Sequence, residues 1–556
     1  MKRSRDFFLA LEKGQFEDTF TAYHPGVTTC WLGSFAIWLT PEEQLHSRQF
    51  FSPEMLSRIR FPIAYLTGVL VLVIGMVLYR LLGGLLAGVG TLFIAIEPFL
   101  LSESRRAHTD VLTALFLFLA LLLWIRYLED TIHCRRSLVF SGICFSLACL
   151  TKSHASAFLI FLPIMLLWYQ RQLHLSWKRL ILSVLLWIAV VLITVLVVWP
   201  YMWTLTYGKI YLFPLLFFSS CTLLLWSWKK LSNSTSLTFS RIEIFLLGSG
   251  LLIIAGLSFY AVDLVIAKMY EALTSAHNVQ TRFLGNIRYN PGPLFFPVMW
   301  FVWTGLLTFP LVVFTICRTW QMRQKEQKIF RVAVVLLIFV VSYFIGLSCV
   351  SKKISRYLII FLPAVSILTA IGTVQFAQLW KRKWINYLVL LLIFLLQATP
   401  ILRLHPYYRV YYYPLLSGKW IAENTSSITG AGLDIAAAYL NSKPNAQNTR
   451  VRLTWFCKDL AHYFVGKTTS RYNSVTSPPN FDYDVEYLYD KQIQGDPVDT
   501  HPNPEKSITT YEHKVSREIE HVVNLNGVDY VWIYRVIKRE PTDKIDAPPQ
   551  VFEPEK

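Results

Sequence analysis

Between residues 61 and 401 the sequence alternates long apolar runs with short segments that carry charge, proline or glycine. An α-helix needs about 20 mainly apolar residues to cross the hydrocarbon layer, and twelve runs approach that length. They lie at 61–82, 84–101, 111–128, 136–150, 154–169, 180–199, 210–228, 242–261, 297–317, 332–350, 357–376 and 385–401. The fourth and fifth meet at Thr151, Lys152 and Ser153, and are read as two helices because 136–169 is too long for one span without steep tilt. Ahead of them, residues 1–60 form a polar segment with an apolar run up to Leu39 that is too short to span and reads as an interfacial helix. After Arg403 the pattern becomes polar and aromatic-rich. Periodicity at 432–440 predicts a helix, and alternation at 451–456 and 529–534 predicts strands.

The expected fold is therefore a polytopic α-helical membrane protein in three parts. Residues 1–60 are an outer segment, 61–402 a transmembrane helical domain of about 12 spans, and 403–556 a small extracytoplasmic α/β domain. Composition agrees: 54% of residues are apolar and only 16% charged, where soluble chains carry about 25%. The net charge of +18 does not indicate nucleic acid, because much of the Lys and Arg sits in short loops between the runs. With residues 1–60 outside, the inner loops hold sixteen basic residues and the longer outer loops ten. That bias places both ends of the chain outside, in a plasma membrane. Of eight Cys, most lie in or beside apolar runs, so no disulfide framework or metal spacing follows.

Candidate chemistry gathers in the outer loops. Ser102 to Asp110 packs Glu103, Arg105, Arg106, His108 and Asp110 between two apolar runs, a costly arrangement unless the groups pair or meet a charged ligand. Asp110 is equally readable as the N-cap of the next helix, and the two arginines as snorkelling cations. Lys352, Lys353 and Arg356 break the charge rule in a six-residue loop, which fits an anionic partner such as a phosphate as well as it fits snorkelling. His24 follows the acidic Glu17 and Asp18, and Arg282 sits in the longest outer loop, 262–296.

These stretches carry a family likeness. Tyr23 to Gly33, Glu97 to Leu101 with His108 to Leu112, Leu150 to Ser153 and Pro291 to Pro297 match, in order, motifs of a known group. So do Lys352-Lys353 with Arg356-Tyr357, His405 to Tyr408, Gly432 to Ala436 and Glu520 to Val523 with Asp529 to Tyr534. The chain resembles bacterial GT-C superfamily membrane glycosyltransferases of the phospholipid-carrier-dependent branch, related to protein O-mannosyltransferases and lipid A aminoarabinose transferases. The resemblance implies transfer of a sugar from a polyprenyl-phosphate carrier to an acceptor lipid, glycan or protein on the outer face of the membrane. It also implies a thirteenth span and an acidic motif ahead of Met1, so a longer, thirteen-span form is expected and the competence of the chain as written rests on it. On this reading Asp110 is the catalytic carboxylate and His24 its orienter or a divalent-metal ligand. Arg105, Arg106, His108, Arg282, Lys352, Lys353 and Arg356 bind substrate. The alternative is a catalytically impaired polyprenyl-phosphate-binding pseudoenzyme or a transporter; against the transporter, the ionisable residues cluster at outer helix ends rather than mid-span.

Overall fold

The computed structural model describes residues 1–20, 26–41, 52–130, 135–203, 281–350, 353–426, 430–470, 481–493 and 517–537, with a few more between 220 and 229. The chain divides into two compact units, Met1–Ile421 and Ala422–Lys556.

The first unit is helical. Among the described residues seven helices are long and apolar enough to cross a membrane: Pro53–Leu82, Asp110–Glu129, Ser153–Leu173, Trp177–Val198, Gln327–Cys349, Ser355–Ala377 and Lys383–Leu404. The run at 136–150 forms the 17-residue helix Arg135–Thr151, separate from its successor as expected. The runs at 242–261 and, but for a few residues, 210–228 lie outside the described residues.

Two runs expected to be single helices are broken. The first splits into Gly84–Ala95 and Pro98–Ser104, bent by 60°. Glu97 causes the break: it takes an extended conformation, its carboxylate accepts the Leu100 amide at 2.5 Å, and Pro98 starts the next helix. A side-chain N-cap followed by proline at the first helical position is a helix start, here set inside an apolar run. The second splits into Phe295–Trp303 and Thr308–Lys325, bent by 112° at Thr304 and Gly305.

Which helices sit at the centre follows from their surfaces. In Asp110–Glu129 and Ser355–Ala377, 94% of the apolar window is buried, against 22% in Lys383–Leu404. A helix that is apolar all round needs protein or lipid on every side. Asp110–Glu129 packs against Pro53–Leu82 and Arg135–Thr151; the α-helical part of the other, Leu362–Ala377, packs against Gly84–Ala95 and Thr308–Lys325. Close approach there depends on Gly372, where an added Cβ would collide with the Leu311 carbonyl oxygen. Small residues at such crossings let backbones meet. Beside it the Thr315 hydroxyl donates to the Leu368 carbonyl at 2.8 Å. At the far end of the first central helix, Arg331 grips Glu129 through Nε (2.8 Å) and Nη2 (2.6 Å), a bidentate pair.

A short hairpin, β1 (Thr281–Phe283) with β2 (Asn286–Arg288), also belongs to this unit. Towards the N-terminus, helix Lys2–Glu12 packs on Val27–Trp38, with Phe7 edge-on to Trp31 at 5.5 Å.

The second unit is a five-stranded mixed sheet of β3 (Arg450–Leu453), β4 (Lys467–Ser470), β5 (Tyr483–Tyr487), β6 (Arg517–Leu525) and β7 (Val528–Val536), in the order β4-β3-β5-β7-β6. The helix expected at 432–440 is Leu433–Asn441, and the strand expected at 529–534 is the centre of β7. That expected at 451–456 stops at Leu453, because the chain turns into a 3-10 helix at Trp455. Asn526 and Gly527, both at positive φ, make the two-residue turn between β6 and β7. On β5, Asp484 is fully buried. It takes Nε (2.9 Å) and Nη2 (2.6 Å) of Arg452 and Nη1 of Arg517 (2.6 Å); Arg517 also reaches Glu486 at 2.6 Å.

Candidate functional site

The first central helix begins at Asp110, and Thr109, the residue in the cap position, makes no side-chain cap bond. The Asp110 carboxylate is 3% exposed and turns towards side chains instead. Lys152 pairs with Oδ1, His108 Nδ1 lies 2.7 Å from Oδ2, and Arg356 Nε lies 3.7 Å from the same oxygen. Capping was one of the two roles open to Asp110 from the sequence; the geometry is that of an ion-pair hub.

Each partner is positioned by a different element. Lys152 follows the helix Arg135–Thr151, is itself 3% exposed, and carries its ammonium 4.7 Å from the centre of the Tyr357 ring. Thr151 beside it shares a hydroxyl hydrogen bond with Thr28, which ties this corner to the helix Val27–Trp38. Arg356 is the second residue of the 3-10 stretch Ser355–Phe361 ahead of the α-helical part of the second central span, and its Nη1 reaches His108 Nε2 at 3.2 Å. An arginine only donates, so Nε2 is the acceptor and the imidazole proton sits on Nδ1, facing Asp110. His108 is thus neutral. Burial holds its pKa below the usual histidine range, with Arg356 and Lys152 acting the same way against the pull of Asp110. One carboxylate, two cations and a neutral imidazole leave the hub with net positive charge.

The other candidates are distributed around it. Arg106 contacts the buried Glu103 at 3.3 Å, and Arg105 donates to the Pro406 carbonyl at 3.0 Å. Lys353 donates to the Leu347 (3.0 Å) and Ser348 (2.7 Å) carbonyls, closing the C-terminal end of Gln327–Cys349. Burial lowers its pKa. Arg282 lies on β1, whose Thr281 hydroxyl donates to the Lys353 carbonyl at 3.4 Å. His24 and Lys352 lie outside the described residues.

Sequence reasoning did not single out Lys152, Tyr357, Glu103 or Arg409 as site residues. The signal for Lys152 was present, since a lone cation between two apolar helices has to find a partner.

Among the described residues no group of three or more His, Cys, Asp or Glu converges. Asp110 and His108 do meet, but Lys152 and Arg356 stand within ion-pair reach of the same carboxylate and would repel a divalent cation. Among the described residues the hub does not fit a metal.

Residues 28–212 match the dolichyl-phosphate-mannose-protein mannosyltransferase family. The resemblance to GT-C membrane glycosyltransferases is borne out. The matched stretch includes Asp110 and Lys152; Arg356 lies beyond it. Among solved structures, the chain is similar to ArnT from Cupriavidus metallidurans bound to undecaprenyl phosphate. Identity is 13% and the TM-score 0.43, over 96% of this chain and 92% of ArnT. It is also similar to the Archaeoglobus fulgidus oligosaccharyltransferase tethered to an acceptor peptide, with 14% identity and a TM-score of 0.42 over 87% of this chain and 64% of that one. No curated protein matches the sequence.

Proposed function

We propose that this chain transfers a sugar from a polyprenyl-phosphate carrier to a hydroxyl-bearing acceptor at the outer face of the membrane. The observation that carries the reading is the Asp110 hub, where a carboxylate, two cations and a neutral imidazole meet at the end of a central apolar helix. An amphipathic carrier would present its phosphate at such a boundary. In the reaction the acceptor oxygen bonds to the anomeric carbon, the bond from that carbon to the phosphate oxygen breaks, and the phosphate leaves with the electron pair. The acceptor proton passes to a base.

Asp110 orients the acceptor hydroxyl or takes its proton, and its engagement by Lys152 and His108 favours the orienting role. Arg356, with a third of its side chain exposed, is the hub cation best placed to meet the leaving phosphate. Arg106, Arg105, Arg282, Lys352 and Lys353 are assigned to phosphate binding and His24 to orienting Asp110, on the sequence alone for His24 and Lys352.

The test is transfer by the purified chain from a panel of polyprenyl-phosphate sugars, with carrier binding measured alongside. Arg356→Ala is expected to weaken carrier binding tenfold to a hundredfold, for the loss of a charge-assisted hydrogen bond of about 1.5–3 kcal/mol. Lys353→Ala is expected to lower thermal stability as well, because it uncaps a helix. A folded Arg356→Ala variant with parental carrier affinity would remove that residue from phosphate recognition.

The orientation belongs to the same proposal: residues 318–331 inside, the second unit outside. In a background stripped of native cysteines, a membrane-impermeant maleimide should label a Cys introduced at Lys467 and spare one at Lys325. The reverse pattern would invert the topology and the proposed site of transfer with it.

A further inference from the structure

Two stretches singled out in the sequence, Glu97 to Leu101 and His405 to Tyr408, have no part in the chemistry above, yet the fold brings them together. After the helix Lys383–Leu404 the chain runs back across the ends of both broken helices. The Tyr413 amide donates to the Val302 carbonyl at 2.8 Å, the Tyr411 hydroxyl to Thr304 at 3.2 Å and the Tyr413 hydroxyl to Leu306 at 3.0 Å. At the middle of this strap Arg409 pairs with Glu103, whose side chain is 1% exposed. The Arg409 guanidinium lies 4.8 Å from the Phe99 ring centre and 5.4 Å from that of Trp303, two rings stacked on each other at 4.8 Å.

We propose that Arg409 and Glu103 are positioning residues, whose ion pair ties the strap at 405–413 to the helix Pro98–Ser104 and thereby holds the 105–109 loop that presents His108 to Asp110. Three contacts connect pair to loop. Glu103 also takes Arg106 at 3.3 Å, the Arg106 amide donates back to the Glu103 carbonyl at 3.2 Å, and the His108 amide donates to the Arg106 carbonyl at 2.7 Å. From the strap side the Pro406 carbonyl accepts Arg105 at 3.0 Å, with Tyr408 5.6 Å under that guanidinium. A five-residue loop anchored at its first two residues has little freedom left at its fourth. Stability alone would be served as well by an apolar pair in place of buried charges. Fixing a loop beside a reactive carboxylate calls for the directional bonds that arginine makes.

The inference rests on the proposed transfer for its kinetic arm only. Arg409→Met, Glu103→Gln and the double variant are compared with the parent in the full-length protein. The readouts are thermal midpoint, kcat and KM for a polyprenyl-phosphate sugar, and the 15N-NMR titration of His108, which faces Asp110, Lys152 and Arg356. Each single variant should lower kcat at least tenfold with little change in KM and move the His108 midpoint up towards about 6.5, the value of an unconstrained imidazole. In the double variant, which leaves no unpaired buried charge, thermal stability should recover while kcat and the His108 midpoint stay displaced. Arg409→Lys, which keeps the charge, should rescue part of kcat. A double variant with parental stability, kcat and titration would overturn the proposal, as would folded single variants with an unmoved His108. If no form transfers sugar while the singles still displace the titration, the proposed activity fails and the positioning role stands.

Discussion

Asp110→Asn is expected to abolish sugar transfer and also to destabilise the helical unit. The activity loss should be at least a hundredfold, the lower end of what a positioned acid–base group supplies. The second effect follows from burial: Lys152 is 3% exposed, and the amide leaves its ammonium without a counter-charge. Removing one member of a buried pair typically costs about 3–5 kcal/mol. An end-capping carboxylate would have tolerated the change, because asparagine caps equally well. Adding Lys152→Met should restore most of the thermal midpoint and none of the transfer. Recovery of both together would mean that Asp110 serves only to neutralise Lys152.

A loss of similar size is expected in the second unit from Asp484→Ala. This carboxylate is fully buried and holds two guanidiniums, Arg452 on the adjacent β3 and Arg517 on β6, which lies beyond β7. Without it three strands lose their shared anchor and two cations are left against the sheet, at a cost of about 3–5 kcal/mol. Limited proteolysis of the full-length variant should cut within 430–537 at protease levels that leave the parent intact. Parental resistance would show that Glu486, which Arg517 also contacts, suffices as anchor.

Much of the helical unit was legible because membrane helices announce themselves by composition: each described apolar run is a helix or a pair of helices. The breaks were not. Glu97 with Pro98 and Thr304 with Gly305 stand in stretches whose mean hydropathy hardly registers them, and hydropathy says nothing about the direction of an axis. In the candidate site, Asp110, His108 and Arg356 were each visible as charges in unfavourable places, which the fold brings within reach of one another. Lys152 stood in plain sight as a turn residue, but its partner lies 42 positions earlier. Arg409 reaches Glu103 across 306 positions, and no local pattern encodes that pairing. In the second unit, β5 and β6 escaped notice because their alternation is interrupted by charged residues that are themselves buried or paired, Asp484 and Glu486 on β5 and Arg517 and Glu520 on β6, while β4 is only four residues long and carries no large apolar side chain.

The helix Asp110–Glu129 carries a carboxylate at each extremity, and each is clasped by cations from other elements: Lys152 and Arg356 at one end, Arg331 at the other. At 1.5 Å per residue the two anchors stand roughly 28 Å apart, close to the thickness of the hydrocarbon layer. A beam bolted at both ends cannot slide along its length without shearing both fastenings at once, nor rotate without drawing the carboxylates off their partners. Under the proposed transfer, any opening that admits a carrier is expected at the perimeter, at helices such as Lys383–Leu404 with 22% of the apolar window buried, rather than in the middle of the bundle.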